Sequence, residues 1–330
     1  MKVLKTMSPT ALHRTTLLCT VLCAALAACS SAPKAPDGIY ALRNEAASLA
    51  DFGAKALREG IRSEALRFYE ECYRMATSVD DPALRIMALD GLSKLLPEGG
   101  VTGDTTVDAA GKPLTESANQ STLPSAADVR WGRSPTSAIE CRTVADGIAA
   151  DSGQPVLVAL AGLIQAEASL RKGGQDDFRR AETAALSAVI VYIKKPAEKA
   201  RALRVLAEAR KGLNDTVGAL SALEEAATLD LKLKRFADYA ADRYLAASIL
   251  SKAGNYPEAR AALLQALEAD RRVEHSAGMG ADYLALGLVA EKEGNKEEAA
   301  RYYGFSREVF AAANFPLEAA DAESRRSGLE

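Results

Sequence analysis

Beyond its first forty residues the chain is organised by apolar side chains recurring every three to four positions, the spacing that gathers them on one face of an α-helix. Such stretches come in pairs separated by short polar turns. Gly254-Asn255-Tyr256-Pro257-Glu258-Ala259 and Gly294-Asn295-Lys296-Glu297-Glu298-Ala299 share one turn-then-helix pattern forty residues apart, and Asn214-Asp215-Thr216-Val217-Gly218-Ala219 lies another forty upstream. Asn replaces Gly there because both tolerate the positive φ that ends a helix. The pattern predicts an all-α solenoid of antiparallel helix hairpins over 39–96 and 134–315. A more polar helix from Pro316 to Glu323-Ser324-Arg325-Arg326 is expected to cap it over 316–330.

The periodicity fails in two places. Residues 1–28 read as an export signal: Lys2, Lys5 and Arg14, then the apolar run Leu17–Leu26, too short for the ~20 residues of a membrane span. Leu26-Ala27-Ala28-Cys29 resembles the bacterial lipobox, which implies cleavage before Cys29 and lipidation of its sulfur with palmitate-type acyl chains. Residues 29–38 then form a short tether, and Ser30, by the sorting pattern of such lipoproteins, implies the outer membrane, facing the periplasm. The second failure is 97–133, rich in Gly, Pro, Ser, Thr and Asp, which reads as a flexible or functional insert. Its Trp131 either pins the insert against the helices or anchors a partner.

The hairpins resemble tetratricopeptide (TPR) repeats. Tyr283, Leu286 and Gly287 fall where that family has Trp, Leu and Gly, followed by Gly294, Ala299 and Tyr303. Leu49, Phe52 and Gly53, then Gly60, Ala65 and Tyr69, form a second such unit, with Cys72 at the next small position. Units around Leu203, Leu206, Ala207 and Ala219, and around Ala181 and Ala188, are further copies, the latter degenerate. Stretches 82–96 and 136–150 make a partial unit split by the insert. The terminal prolines common in the family are missing, so the subfamily stays open. The resemblance implies a bacterial TPR lipoprotein that binds partners on the inner face built from the first helix of each pair. On that face lie Arg201, Arg204 and Glu208, then Tyr244, Ser248 and Lys252, then Leu284 and Leu288. The asparagines of the family's carboxylate clamp are missing at the matching positions.

Composition supports this and excludes much else. With 48% hydrophobic, 26% charged and 5% aromatic residues, the 330-residue chain suits close helix packing more than a β-sandwich. Without the leader's Lys2, Lys5 and Arg14 it carries 38 basic against 44 acidic side chains, a net charge of −6, which argues against nucleic-acid binding. Past the leader one histidine remains, His275, and two cysteines outside the lipobox, Cys72 and Cys141. The cysteines lack the spacing and histidine companions of a zinc site and read as buried packing residues, although a periplasmic disulfide is chemically permitted. Lys172-Gly173-Gly174-Gln175 lacks the Lys-Ser/Thr of a phosphate loop and reads as a helix-ending turn. Glu224-Glu225 and Glu297-Glu298, adjacent on helices, point apart. No cofactor, metal or catalytic residue is expected. The leading expectation is a non-enzymatic envelope adaptor for proteins or peptides. A small-ligand or solute-transporter-associated lipoprotein is the alternative, with a closed apolar pocket drawn from Leu163, Leu170, Leu284 and Leu288. An envelope hydrolase ranks third.

Overall fold

The computed structural model describes residues 38–99 and 134–329. The leader, Cys29, the tether and most of the insert, Trp131 included, lie outside the described residues. The chain divides after Leu42 into two compact units; only Gly38–Leu42 of the first is described, and the architecture below is that of the second.

Among the described residues there are thirteen helices and no strand. They are α1 (Gly38–Arg58), α2 (Arg62–Ser78), α3 (Pro82–Leu95), α4 (Ala138–Ser152), α5 (Pro155–Lys172) and α6 (Gln175–Val191). After them come α7 (Pro196–Gly212), α8 (Thr216–Lys232), α9 (Phe236–Lys252) and α10 (Tyr256–Arg272). The last three are α11 (Ser276–Lys292), α12 (Lys296–Ala312) and the shorter α13 (Pro316–Ser327). From α2 onward each packs on its neighbour in sequence, with α3 and α4 adjoining across the insert, and α1 meets α2 through the Phe52 and Phe68 rings, 5.8 Å apart, which makes a TPR-like helical repeat fold.

The forty-residue period resolves into a finer step. Helices α7 to α12 are each 17 residues long and begin 20 residues apart. The spacing is set by a left-handed residue two places before each of α8 to α13: Asn214 (φ 64°), Lys234 (58°), Gly254 (83°), Glu274 (55°), Gly294 (81°) and Asn314 (62°). In every one of these turns the next N–H donates back to the carbonyl five residues earlier at 2.8–3.0 Å, the closure that satisfies an orphaned carbonyl at a helix end. Asp215 and Asn295 then cap the following helices by accepting from Gly218 N (2.9 Å) and Glu298 N (3.2 Å).

Small residues bring the helices together. Alanines 181, 185, 188, 200, 207, 219, 226, 259, 266 and 299 are fully buried, so neighbouring backbones approach closely and the larger side chains fill the grooves. The two units legible from their aromatic and glycine positions use one device. A Cβ on Gly53 would touch the Tyr69 ring at 3.0 Å, and one on Gly287 would meet the Tyr303 ring at 2.5 Å. Cys72 and Cys141 are both free thiols buried in the first core cluster, where burial pushes each up to about 12. Both pack, Cys72 at the small position of its repeat unit, and they form no staple. Gly173, at φ 79°, ends α5 as a left-handed residue, so the Lys172–Gln175 segment is a helix-ending turn.

The edges of the insert are held. Ala138 N donates to Pro97 O at 2.8 Å, and the buried Arg142 donates from Nη2 to Glu98 Oε2 at 2.6 Å. The stack also returns on itself. His275, between α10 and α11, contacts Arg58 O at the end of α1 through Nε2 at 3.1 Å. A Cβ on Gly60 in the next turn would lie 2.9 Å from the ring of Phe315, which precedes α13.

Candidate functional site

The first helices of the repeats, α7, α9 and α11, carry the residues picked out for partner binding, and the structure sorts them into three environments. Arg201 is three-quarters buried between α3, α5 and α7. Its Nη1 reaches Asp90 Oδ2 at 2.8 Å, and its Nη2 donates to Glu167 Oε1 at 2.6 Å. Lys94 completes the network, 3.1 Å from Asp90 and 3.2 Å from Glu167. Burial alone would raise Asp90, but Arg201 and Lys94 outweigh it and hold the carboxyl down at about 2. Arg204 is likewise claimed within the chain. Its Nη2 donates to Asp230 Oδ2 at 2.7 Å and its Nε to Asp242 Oδ1 at 2.5 Å, both carboxylates being fully buried. The two arginines therefore cross-link helices, with their charges neutralised in place. Glu208 is exposed and borders an open recess with Glu167, Leu170 and Arg171.

The second environment is a groove between α9, α10 and α11. Tyr244, Ser248, Lys252 and Leu288 come together there around a volume of about 340 Å³, over a floor that includes Leu263 and Val289. The groove is open to solvent. Lys252 and Lys292 stand on it at equivalent positions of successive repeats, forty residues apart. Lys292 Nζ donates to Ser251 Oγ at 3.2 Å, and Lys211 Nζ to Ser248 Oγ at 3.0 Å. Among the described residues neither Lys252 nor Lys292 has a carboxylate partner, in contrast to the arginines. Leu284 packs with Leu288 against Ala290, Ala299 and Tyr303.

One sequence expectation is corrected. Leu163 is buried and Leu170 packs against it in the central core, whereas Leu284 and Leu288 belong to the last hairpin. Four leucines spread over two clusters cannot enclose one pocket. His275 acts as a bridge: its Nδ1 lies 3.2 Å from Asp270 Oδ1 while Nε2 meets Arg58 O. With an acceptor at each nitrogen the ring is stabilised as the imidazolium. The Asp270 bond, opposed by partial burial, raises its pKa above the usual 6.5.

The third environment was not picked out from the sequence. Asp270, Asp282, Tyr244 and His275 line a smaller cavity beside the groove. Its signal was present as the recurrence of Asp230 at Asp270 and of Asp242 at Asp282, forty residues on. Adjacent acids elsewhere do point apart: Glu225 pairs with Lys199 of α7, and Glu224 with Arg243 of α9 at 2.7 Å. Among the described residues no group of three or more metal-ligating side chains is gathered, and no helix is long and apolar enough to cross a membrane.

No protein-family model matches the sequence, and no curated protein matches it. Solved structures do resemble the fold. A Rap protein complexed with competence and sporulation factor superposes with a TM-score of 0.54 at 15% identity, over 87% of this chain and 71% of its own. BtubC (BKLC) from P. vanneervenii gives a TM-score of 0.45 at 15% identity, over 57% of this chain and 87% of its own. At that level of identity the likeness to the Rap protein speaks for the fold, and it agrees with the hairpin stack in assigning the chain a TPR-like helical repeat architecture.

Proposed function

We propose that this chain is a non-enzymatic scaffold of the bacterial envelope, tethered through a lipid on Cys29 to the periplasmic face of the outer membrane, and that it takes partner segments in the groove of α9 to α11. The observation that carries the binding role is the pairing of an apolar floor with two lysines that have no carboxylate partner among the described residues. Arg201 and Arg204, on the same series of helices, are neutralised by the chain itself, so the groove is where positive charge is available to a ligand. The chemistry fits a segment that places an apolar side chain against Leu263 and Val289 and a carboxylate near Lys252 and Lys292. Likeness of fold to a Rap protein complexed with a factor supports a protein-interaction role in general terms.

A photocrosslinking residue at position 248, inside the groove, is compared in cells with one at position 317, whose leucine is 81% exposed on α13. Envelope proteins are expected to crosslink from 248 alone, and a Lys252→Glu, Lys292→Glu double variant is expected to lose them. The same crosslinks from both positions, or from the charge-reversed variant, would overturn the groove assignment. The anchor is tested separately: labelled palmitate should enter the wild type and not Cys29→Ala.

A further inference from the structure

The buried charges around α8 and α9 recur forty residues later with one member missing. In the first copy Arg204 lies between two fully buried carboxylates, donating to Asp230 and to Asp242. In the second copy Asp270 and Asp282 hold the carboxylate positions, 4% and 1% exposed, and Tyr244 stands where the arginine stood. His275 replaces Arg235, and Gly278 replaces Asp238. The glycine is required there, because a Cβ would lie 1.9 Å from Asp270 Oδ2 and 2.5 Å from His275 Nδ1.

Tyr244 brings no positive charge to the acids. Asp282 Oδ2 is buried without a hydrogen-bond partner among the described residues. Beside it is a cavity of about 130 Å³ lined by Tyr244, Asp270, His275, Gly278 and Asp282, with alanines of α9 and α11 completing the wall. Burial, reinforced by Asp270, pushes Asp282 up to about 8 with nothing opposing it. In the first copy burial also raises Asp242, but there Arg204 pulls against it. Both nitrogens of His275 are already engaged, by Asp270 and by Arg58 O, so no ring nitrogen is left to ligate a metal.

We propose that this cavity receives a guanidinium group from a ligand, seated as Arg204 is seated in the preceding repeat, in reach of Asp282 and Asp270 and walled by the Tyr244 ring. A planar fork of donors suits two carboxylates held by different helices, and its face suits an aromatic wall; an ammonium offers neither. The arginine side chain of a partner polypeptide and free arginine share this chemistry. The groups facing the cavity are Tyr244 from α9, Asp270 from α10, His275 from the turn and Asp282 from α11. A guanidinium enters as Asp282 releases its proton to solvent, so affinity is expected to climb by up to roughly tenfold per pH unit below the titration of Asp282. Loss of the His275 proton acts in the same direction.

The test is calorimetric titration of the full chain with Nα-acetyl-arginine N-methylamide, its lysine counterpart and free L-arginine. Binding of the blocked arginine compound, tightening from pH 6 to 8, is expected, with the lysine compound at least about tenfold weaker. Tighter binding of the blocked compound than of free L-arginine identifies a polypeptide side chain as the source, and the reverse order a solute. Asp282→Asn, nearly the same shape, should abolish binding. Tyr244→Arg should fill the cavity from within, abolishing binding while raising the melting temperature, a gain that damage to the fold does not produce. Unchanged binding in Asp282→Asn, equal binding of the lysine compound, or no binding of either arginine compound to the wild type would overturn the assignment. The proposal stands apart from the groove: the blocked probe carries no carboxylate, so Lys252→Glu should still bind it.

Discussion

Arg204 sits on the face where a partner is expected, yet its charge is already matched inside the chain. Cutting it back to Ala would strand Asp230 and Asp242, both fully buried, and breaking a buried pair of this kind costs about 3–5 kcal/mol. Urea unfolding of Arg204→Ala should register a loss of that size. Arg204→Lys should recover less than half of it, since a single ammonium cannot span the two acids as the fork does. The repeat pattern was enough to place Arg201 and Arg204 on one helix, the first of its hairpin. It could not reveal that Arg201 meets Asp90, a residue 111 positions away, because that contact exists only once the hairpins between them have stacked. Asp230 and Asp242 were closer to legible: each recurs forty residues later, at Asp270 and Asp282, and Asp230 sits between Leu229 and Leu231, a polar group kept where an apolar one would pack.

Among the elements, the turns divide by what their residues disclose. Gly254, Gly294 and Asn214 announce left-handed positions, and the forty-residue register follows from them. Lys234 and Glu274 occupy the same conformation with side chains that give no such signal. The sequence therefore shows the turn inside each hairpin and hides the turn between hairpins, which is why the twenty-residue step emerged only in the fold. A β-carbon in this region costs about 1 kcal/mol that glycine does not incur. Lys234→Gly and Glu274→Gly should each raise stability by about that amount, offset in part by greater freedom of the unfolded chain. Gly254→Ala should lower it comparably. Thermal melts of the three variants check the sign at each position, and destabilisation by Lys234→Gly would show that its side chain contributes more than its backbone costs.

At the scale of the whole molecule, the contact of His275 with the end of α1 makes the fold responsive to pH. The imidazole is held by Asp270, with Arg58 O at its far nitrogen, and its folded pKa is raised above the 6.5 of the free side chain. A group shifted upward stabilises the fold fully below its unfolded pKa and loses that contribution as pH rises through the folded one. The melting temperature of the wild type should therefore exceed that of His275→Gln at pH 5.5, and the gap should narrow steadily as pH rises above 6.5. A gap that is constant across this range would mean that His275 acts through packing alone.

That returning contact also changes what kind of polymer the protein is. Hairpins that touch only their neighbours behave as a linear array, free to fray from either extremity like a zipper with two open ends. Here the turn at Gly60 is met by Phe315, and the end of α1 by His275, so the first hairpin is buttressed by the last ones. A fray starting at either side must first break a bond to the other. Amide exchange should accordingly find the opening and closing hairpins protected together and exposed together, as one cooperative block.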